Sequence, residues 1–146
     1  MADWNDRNRR VIDEFRAHGG HVAGWERQPL LLLHHRGAKS GTWRVNSLAR
    51  QDLPNGWAIF GSRGGSPTDP DWVRNLVANP DAKVEVGSST FDVRARVATG
   101  QERARIWEEQ KRRNPAFAAY EERTRRQIPV VILEPTGEAT SAAGVS

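Results

Sequence analysis

Between two apolar stretches of this 146-residue chain lies Arg36-Gly-Ala-Lys-Ser-Gly-Thr-Trp-Arg44, with three basic side chains and two glycines in nine residues. A Gly/Ser-rich turn joining two strands can aim several backbone N–H groups at one point and so form a nest for an anion. Lys39 adds a point charge, Ser40 a hydroxyl donor, and Arg44 a planar fork suited to phosphate or carboxylate, with Arg36 on the preceding strand end. The GxxxxGK[ST] spacing of a P-loop is absent, and taken alone the segment is also an ordinary basic hairpin turn. A second segment, Gly61-Ser-Arg-Gly-Gly-Ser-Pro-Thr-Asp-Pro-Asp-Trp72, places Gly64-Gly65 where backbone can approach a ligand closely. In a third, Trp72 to Pro80, Asn75 and Asn79 are spaced for one helix face.

Other chemistry finds little support. His18, His21, His34 and His35 read as surface or core residues, and 34/35 must point to opposite faces of a strand. No Ser-His-Asp set can be assembled, no metal-ligand spacing is present, and the absence of Cys excludes thiolate sites and disulfides. If the chain is an enzyme, a cofactor carries the hard chemistry and the protein supplies position and electrostatics.

The elements that must hold these segments can be read from periodicity. Residues 4–17 predict a helix, capped by Asp3 or Asn5 and stopped by Gly19-Gly20. Pro29–His34, Thr42–Arg50 and Trp57–Phe60 predict a three-stranded meander, with Pro54-Asn55-Gly56 as its second turn. Trp72–Ala78 predicts a short helix capped by Asp69 or Asp71 and ended at Asn79-Pro80. Lys83–Val86 and Thr90–Val97 predict a hairpin, with Phe91, Val93, Ala95 and Val97 facing inward. Gln101–Arg113 and Pro115–Arg126 read as helices, and Pro129–Leu133 as a last buried strand. The sum is a mainly β, α+β fold: about six mostly antiparallel strands in a small barrel flanked by helices. Residues 1–20 form an N-terminal helix, 21–135 the barrel domain, and 136–146 a small, polar, disordered tail.

Charge is uneven. Residues 1–50 carry nine basic and five acidic groups, whereas the rest of the chain is close to neutral, although the pI is about 10.3. The six tryptophans fall at core-like positions and are not interleaved with a basic stripe, which argues against nucleic acid. The longest apolar run, Leu30–Leu33, is far short of a membrane span, and the polar start Met1–Arg10 reads as no signal peptide. These features predict a cytoplasmic protein. The helix face of Trp4, Val11, Ile12 and Phe15, ringed by Arg7, Arg9, Arg10 and Arg16, could pack over the barrel or touch an anionic bilayer as a peripheral contact; packing is the favoured reading.

Several of these segments, in order, resemble the deazaflavin-dependent nitroreductase family of actinobacterial F420-dependent oxidoreductases. They are Glu14-Phe-Arg16, Leu31–Leu33, Gly37-x-Lys39-Ser40-Gly41-x-x-Arg44, Ser62-x-Gly64-Gly65-x-Pro67, Pro70-x-Trp72-x-x-Asn75-Leu76-x-Ala78-Asn79-Pro80 and Ile128-Pro129-Val130. The resemblance spans about residues 8–135 and implies a split β-barrel related to FMN-binding reductases. It implies coenzyme F420, whose tail carries a phosphodiester and carboxylates, as donor of a hydride to a quinone, enone or nitro acceptor. On this basis Arg36, Lys39, Ser40, Gly41 and Arg44 would hold the tail. Ser62, Arg63, Gly64 and Gly65 would line the ring, Trp72 and Asn75 would flank the groove, and Ser62 and Tyr120 would be the catalytic candidates. No metal is expected. FMN in the same turn, or an F420 carrier without turnover, are the alternatives, and the protein would be a monomer or homodimer. Three positions depart from the family pattern. Phe117 stands in the segment where tyrosines cover the substrate, Asp71 precedes Trp72 where relatives are often bulky and apolar, and Val73 follows it where an aromatic is usual.

Overall fold

The computed structural model describes residues 4–26, 28–137 and 140–141. Strand β1 (Leu30–Arg36) pairs antiparallel with β2 (Trp43–Leu53), which turns at Pro54-Asn55 into β3 (Gly56–Phe60). At that turn Gly56 has φ +152°, and a Cβ there would lie 2.1 Å from the Leu133 carbonyl oxygen, so only glycine lets the two chains approach. β3 pairs with β6 (Val130–Pro135), β6 with β5 (Ser89–Val97), β5 with β4 (Asp81–Val86), and β4 returns to β1. Every pairing is antiparallel, and the circuit closes a six-stranded barrel of the kind predicted.

Closure explains the four consecutive leucines. Leu31 and Leu33 point into the barrel with Ile59, Val84, Val93, Val131 and Leu133. Leu30 and Leu32 point outward under helix α1 (Trp4–Ala17), where they meet Phe15 and Val22. Both faces of β1 are therefore buried, and alternation disappears. Helices α3 (Gly100–Arg113) and α4 (Ala116–Arg123) cover the opposite wall, packing Ile106, Trp107 and Phe117 on Phe60, Val130 and Ile132. A buried amide network ties α3 to the barrel: Gln110 and Asn114 both donate to Gln28 Oε1 at 3.0 Å, and Gln51 donates to the Ile106 carbonyl at 3.0 Å.

Helix α1 packs, as favoured. Phe15 is buried, Val11 and Ile12 lie against the same cluster, and Asn8 donates to the Val45 carbonyl at 2.9 Å. Burying a side chain such as Phe15 contributes about 1.5–3 kcal/mol. The Val11, Ile12 and Phe15 face thus rests on the barrel, the face that the bilayer reading needed. Among the described residues no helix is long and apolar enough to cross a membrane. The cap expected at Asp3 lies outside the described residues, and Asn5 is within the helix. Helix α2 (Asp71–Ala78) also lacks the expected side-chain cap: Pro70 occupies that position, and Asp71, the first helical residue, bridges instead to Arg74 at 2.9 Å. The polar tail departs from expectation in one place. Thr140–Ser141 forms a two-residue strand, β7, on Thr90 and Ser89, held by backbone pairing for which side-chain composition gives no signal. The tail positions 138, 139 and 142–146 lie outside the described residues.

Candidate active site

A groove of about 950 Å³ opens between β2, the segment after β3, the start of α2 and helix α4. Arg44, Ser62, Arg63, Trp72 and Tyr120 line it, and Asn8, Val11 and Trp25 form part of its rim. Five of the residues singled out from the sequence thus meet in one cavity. Arg36, Lys39, Ser40 and Gly41 lie on the turn that runs into Arg44.

That turn is built by its own backbone. Gly37 N–H donates to the Thr42 carbonyl at 2.9 Å, Gly41 N–H to the Gly37 carbonyl at 3.0 Å, and Thr42 N–H to Ser40 Oγ at 3.1 Å. Gly41 has φ +70°, and a Cβ on Gly37 would fall 2.5 Å from Ser40 Oγ. The turn is fastened from below by Asn75, whose Oδ1 accepts from Ala38 N–H at 2.9 Å. Asn75 is buried and is not among the groove-lining residues. The resemblance implied that it flanks the groove; in the structure its amide braces the 36–44 turn that leads into the groove. Arg36, Lys39, Arg44 and Arg63 make no ion pair among the described residues.

On the opposite side, a short 3-10 turn, Arg63–Gly65, follows β3. Arg63 has φ +45°, a strained conformation for a residue with a Cβ, and its guanidinium donates to Thr68 Oγ1 at 3.2 Å. Gly65 has φ +84°, and a Cβ there would fall 2.9 Å from the Tyr120 carbonyl oxygen and 2.8 Å from Arg123 Cβ. Its lack of a side chain is needed for packing on α4. The loop is clamped by Arg126, which donates to the Ser62 carbonyl at 3.0 Å and the Ser66 carbonyl at 2.9 Å and pairs with Asp69 at 2.6 Å. Ser62 is buried, and its hydroxyl makes no hydrogen bond among the described residues.

The third wall is aromatic. Trp72 is buried in the barrel core yet reaches the groove. Phe117 stacks edge-on with Phe60 at 5.5 Å and Tyr120 at 5.2 Å, so α4 presents one hydroxyl where two rings stand. Asp71 lines the groove and adds an exposed carboxylate there, whereas Val73 is turned into the core.

His35 also lines the groove, although the sequence reading discounted it. It is buried, with Nδ1 3.0 Å from Asn75 Nδ2 and Nε2 2.6 Å from Asn46 Oδ1. Burial pushes its imidazole below the ordinary value and Arg44 adds to this, while the Asn46 hydrogen bond and Asp71 oppose. His34 faces the other way and contacts Glu85 at 2.6 Å, as the strand period requires. His35, Asn46 and Arg126 carry no local motif. Only the strand register, which sets Leu33 opposite Asn46 and His35 opposite Arg44, could have paired the first two. Among the described residues no cluster of His, Asp and Glu could hold a metal ion.

Residues 7–135 match the family described as F420H(2)-dependent quinone reductase. An F420H(2)-dependent quinone reductase of Mycobacterium tuberculosis is 39% identical over 108 residues, 72% of each chain. A putative F420H(2)-dependent quinone reductase of the same organism is 40% identical over 107 residues, 73% of this chain and 90% of the other. Among solved structures, an F420-H2-dependent reductase superposes with a TM-score of 0.67 at 37% identity, over 73% of this chain and 94% of that one. A structure described as a domain-swapped dimer gives 0.70 at 35% identity, over 91% and 98%. A pyridoxamine 5'-phosphate oxidase-like protein of Listeria innocua, at 10% identity and a TM-score of 0.55, shares the fold alone. The chain belongs to the F420H(2)-dependent quinone reductase family.

Proposed function

We propose that this groove is where the chain works as an F420H2-dependent quinone reductase, with the anionic cofactor tail on the 36–44 turn. Membership in the family makes it an oxidoreductase with reduced F420 as hydride donor and a quinone as acceptor. The observation that carries the placement is the set of cations without carboxylate partners among the described residues. Arg44 and Arg63 line the groove, and Arg36 and Lys39 lie on the turn leading to it. A phosphodiester with several carboxylates is the chemistry such a donor set fits, because charge-assisted and bidentate bonds to oxyanions are the strong ones.

When bound, reduced F420 supplies a hydride to the quinone. The protein's part is position and charge. Arg36, Lys39, Ser40, Gly41 and Arg44 hold the anionic tail. Arg63, with Gly64 and Gly65 continuing its turn, stabilises negative charge developing on oxygen, a preorganised electrostatic role. The Ser62 and Tyr120 hydroxyls, free of protein partners among the described residues, donate hydrogen bonds to the acceptor's carbonyl oxygens, and Tyr120 Oη can pass a proton to one of them. Trp72 and Phe117 supply flat apolar surface that excludes water and keeps the reacting rings in register.

Equilibrium titration with F420 and with FMN, followed by fluorescence, tests the reading, with anaerobic oxidation of F420H2 by a soluble quinone as the second readout. Tight F420 binding with quinone-dependent turnover is the expected result. Tight FMN binding without F420 binding would replace the cofactor, and F420 binding without turnover by any quinone, enone or nitro acceptor would leave a carrier.

A further inference from the structure

Three hydrogen bonds in series run under the groove, and their polarity is fixed from one end. Ala38 N–H can only donate, so Asn75 presents Oδ1 to it, at 2.9 Å. The other end of that amide, Nδ2, must then face His35 Nδ1, at 3.0 Å. An N–H2 group in that position requires a lone pair on Nδ1, so the ring proton resides on Nε2. The Nε2–H donates to Asn46 Oδ1 at 2.6 Å. Asn46 is thereby turned so that its own N–H2 points away from the histidine. Asn46 lines the groove beside Arg44, and its Nδ2 has no partner among the described residues.

We propose that His35, as the Nε2–H tautomer, is a positioning residue that locks the Asn46 side chain with its N–H2 presented to the groove as a donor for a ligand carbonyl oxygen. The inference rests on the reading of the groove given above. The carbonyl belongs either to the cofactor ring or to the quinone, and the two are chemically alike at this point. The same chain runs through Asn75 to the 36–44 turn, so the donor and the anion-binding backbone share one scaffold. Orientation by a hydrogen bond to a neutral imidazole has a consequence that packing alone lacks. A proton added at Nδ1 would set two donors against each other and release Asn75. The charged and titratable groups around the imidazole are Arg44 and His34, which oppose protonation, and Asp71, which favours it.

The test begins with the ligand-free protein. Long-range nitrogen–proton NMR is expected to show His35 as the Nε2–H tautomer at pH 7. Observation of the Nδ1–H tautomer, or of a charged ring, overturns the proposal. The replacement Asn46→Asp keeps an acceptor for His35 but exchanges the N–H2 for a carboxylate oxygen, and the negative charge it places beside His35 should make the ring easier to protonate, shifting its titration to higher pH. It is expected to weaken F420 binding, or to raise the quinone KM, by tenfold or more while the thermal midpoint changes little. A rise in the F420 Kd assigns the carbonyl to the cofactor, and a rise in quinone KM alone assigns it to the acceptor. His35→Leu, which removes the lock and leaves Asn46 in place, is expected to give a smaller loss that no longer worsens as the pH is lowered. Asn46→Asp within twofold of wild type in both constants overturns the proposal. Wild-type protein that does not bind F420 overturns the reading of the groove and the ligand half of the proposal, and the tautomer result alone then stands.

Discussion

The two sides of the barrel use the same side chain differently. On β5 and α3, Arg94, Arg96, Lys111, Arg112 and Arg113 each reach at least one carboxylate; Arg96 contacts Glu102 at 2.7 Å and Glu134 at 3.1 Å. Along the groove, Arg36, Lys39, Arg44 and Arg63 have none among the described residues, and the backbone beneath them is held by Asn75 and Arg126. Lack of a partner is not sufficient by itself, since Arg105 on α3 makes no ion pair among the described residues either. What marks the groove is the combination of unpaired charge, fixed backbone and a cavity. Exposed pairs on the far side are weakened by water and salt, whereas a charge held for an incoming anion can give a hydrogen bond of about 1.5–3 kcal/mol. The same pI therefore hides two populations of arginine, one spent on the surface and one available to a ligand.

The contrast is broken most sharply by reversing a groove charge. Arg44→Glu is expected to lower F420 affinity about 100-fold, the upper end of a charge-assisted bond at 1.4 kcal/mol per factor of ten. The residual binding should lose part of its salt dependence, since Arg36, Lys39 and Arg63 remain. Fluorescence titration at two ionic strengths checks both. Arg126→Ala comes next. It removes donors to the Ser62 and Ser66 carbonyls and the partner of Asp69, and should cost about 1–3 kcal/mol in urea unfolding. Limited proteolysis should then cut between 61 and 71 faster than elsewhere.

Glu85 sharpens the comparison, because it is a buried pair on neither of these surfaces. Burial raises its carboxyl, but the hydrogen bonds from Arg16 and His34 outweigh burial and hold it below the ordinary value of 4.5. A carboxyl depressed in the folded state stabilises above its unfolded value, and that contribution disappears as pH falls through the folded one. Glu85→Gln is therefore expected to cost about 1–2 kcal/mol at pH 7, discounted for the half-exposed Arg16, and progressively less in melts taken below pH 4.5. The smallest effect belongs to the far side. Arg96→Ala should change stability by no more than about 1 kcal/mol and F420 affinity by less than twofold.

Local signals carried most of the barrel into view. The stretches Thr42–Arg50 and Thr90–Val97 fall on β2 and β5 to within a residue, Pro54-Asn55 turns between β2 and β3, and the basic turn does lead into a cavity. Val97, read as inward, ends β5 exposed, because the strand leaves the core there. What stayed hidden depends on partners far away in the chain. Arg126 meets Ser62 across 64 residues, His35 meets Asn75 across 40, and Gln28 meets Gln110 across 82. Polar residues of this kind carry no periodicity, and their roles follow only from which groups closure of the barrel leaves unsatisfied. Gly65 has the positive φ expected of it, and its packing against α4 is a further demand that only the folded chain shows.

Amide hydrogen exchange of the wild-type protein, with and without F420, tests the division between the two surfaces most directly. Slowed exchange confined to residues 36–46 and 61–72, with none at 94–105, is the result the account predicts. Protection centred on 94–105, or F420 binding that leaves the 36–46 turn unchanged, would contradict it.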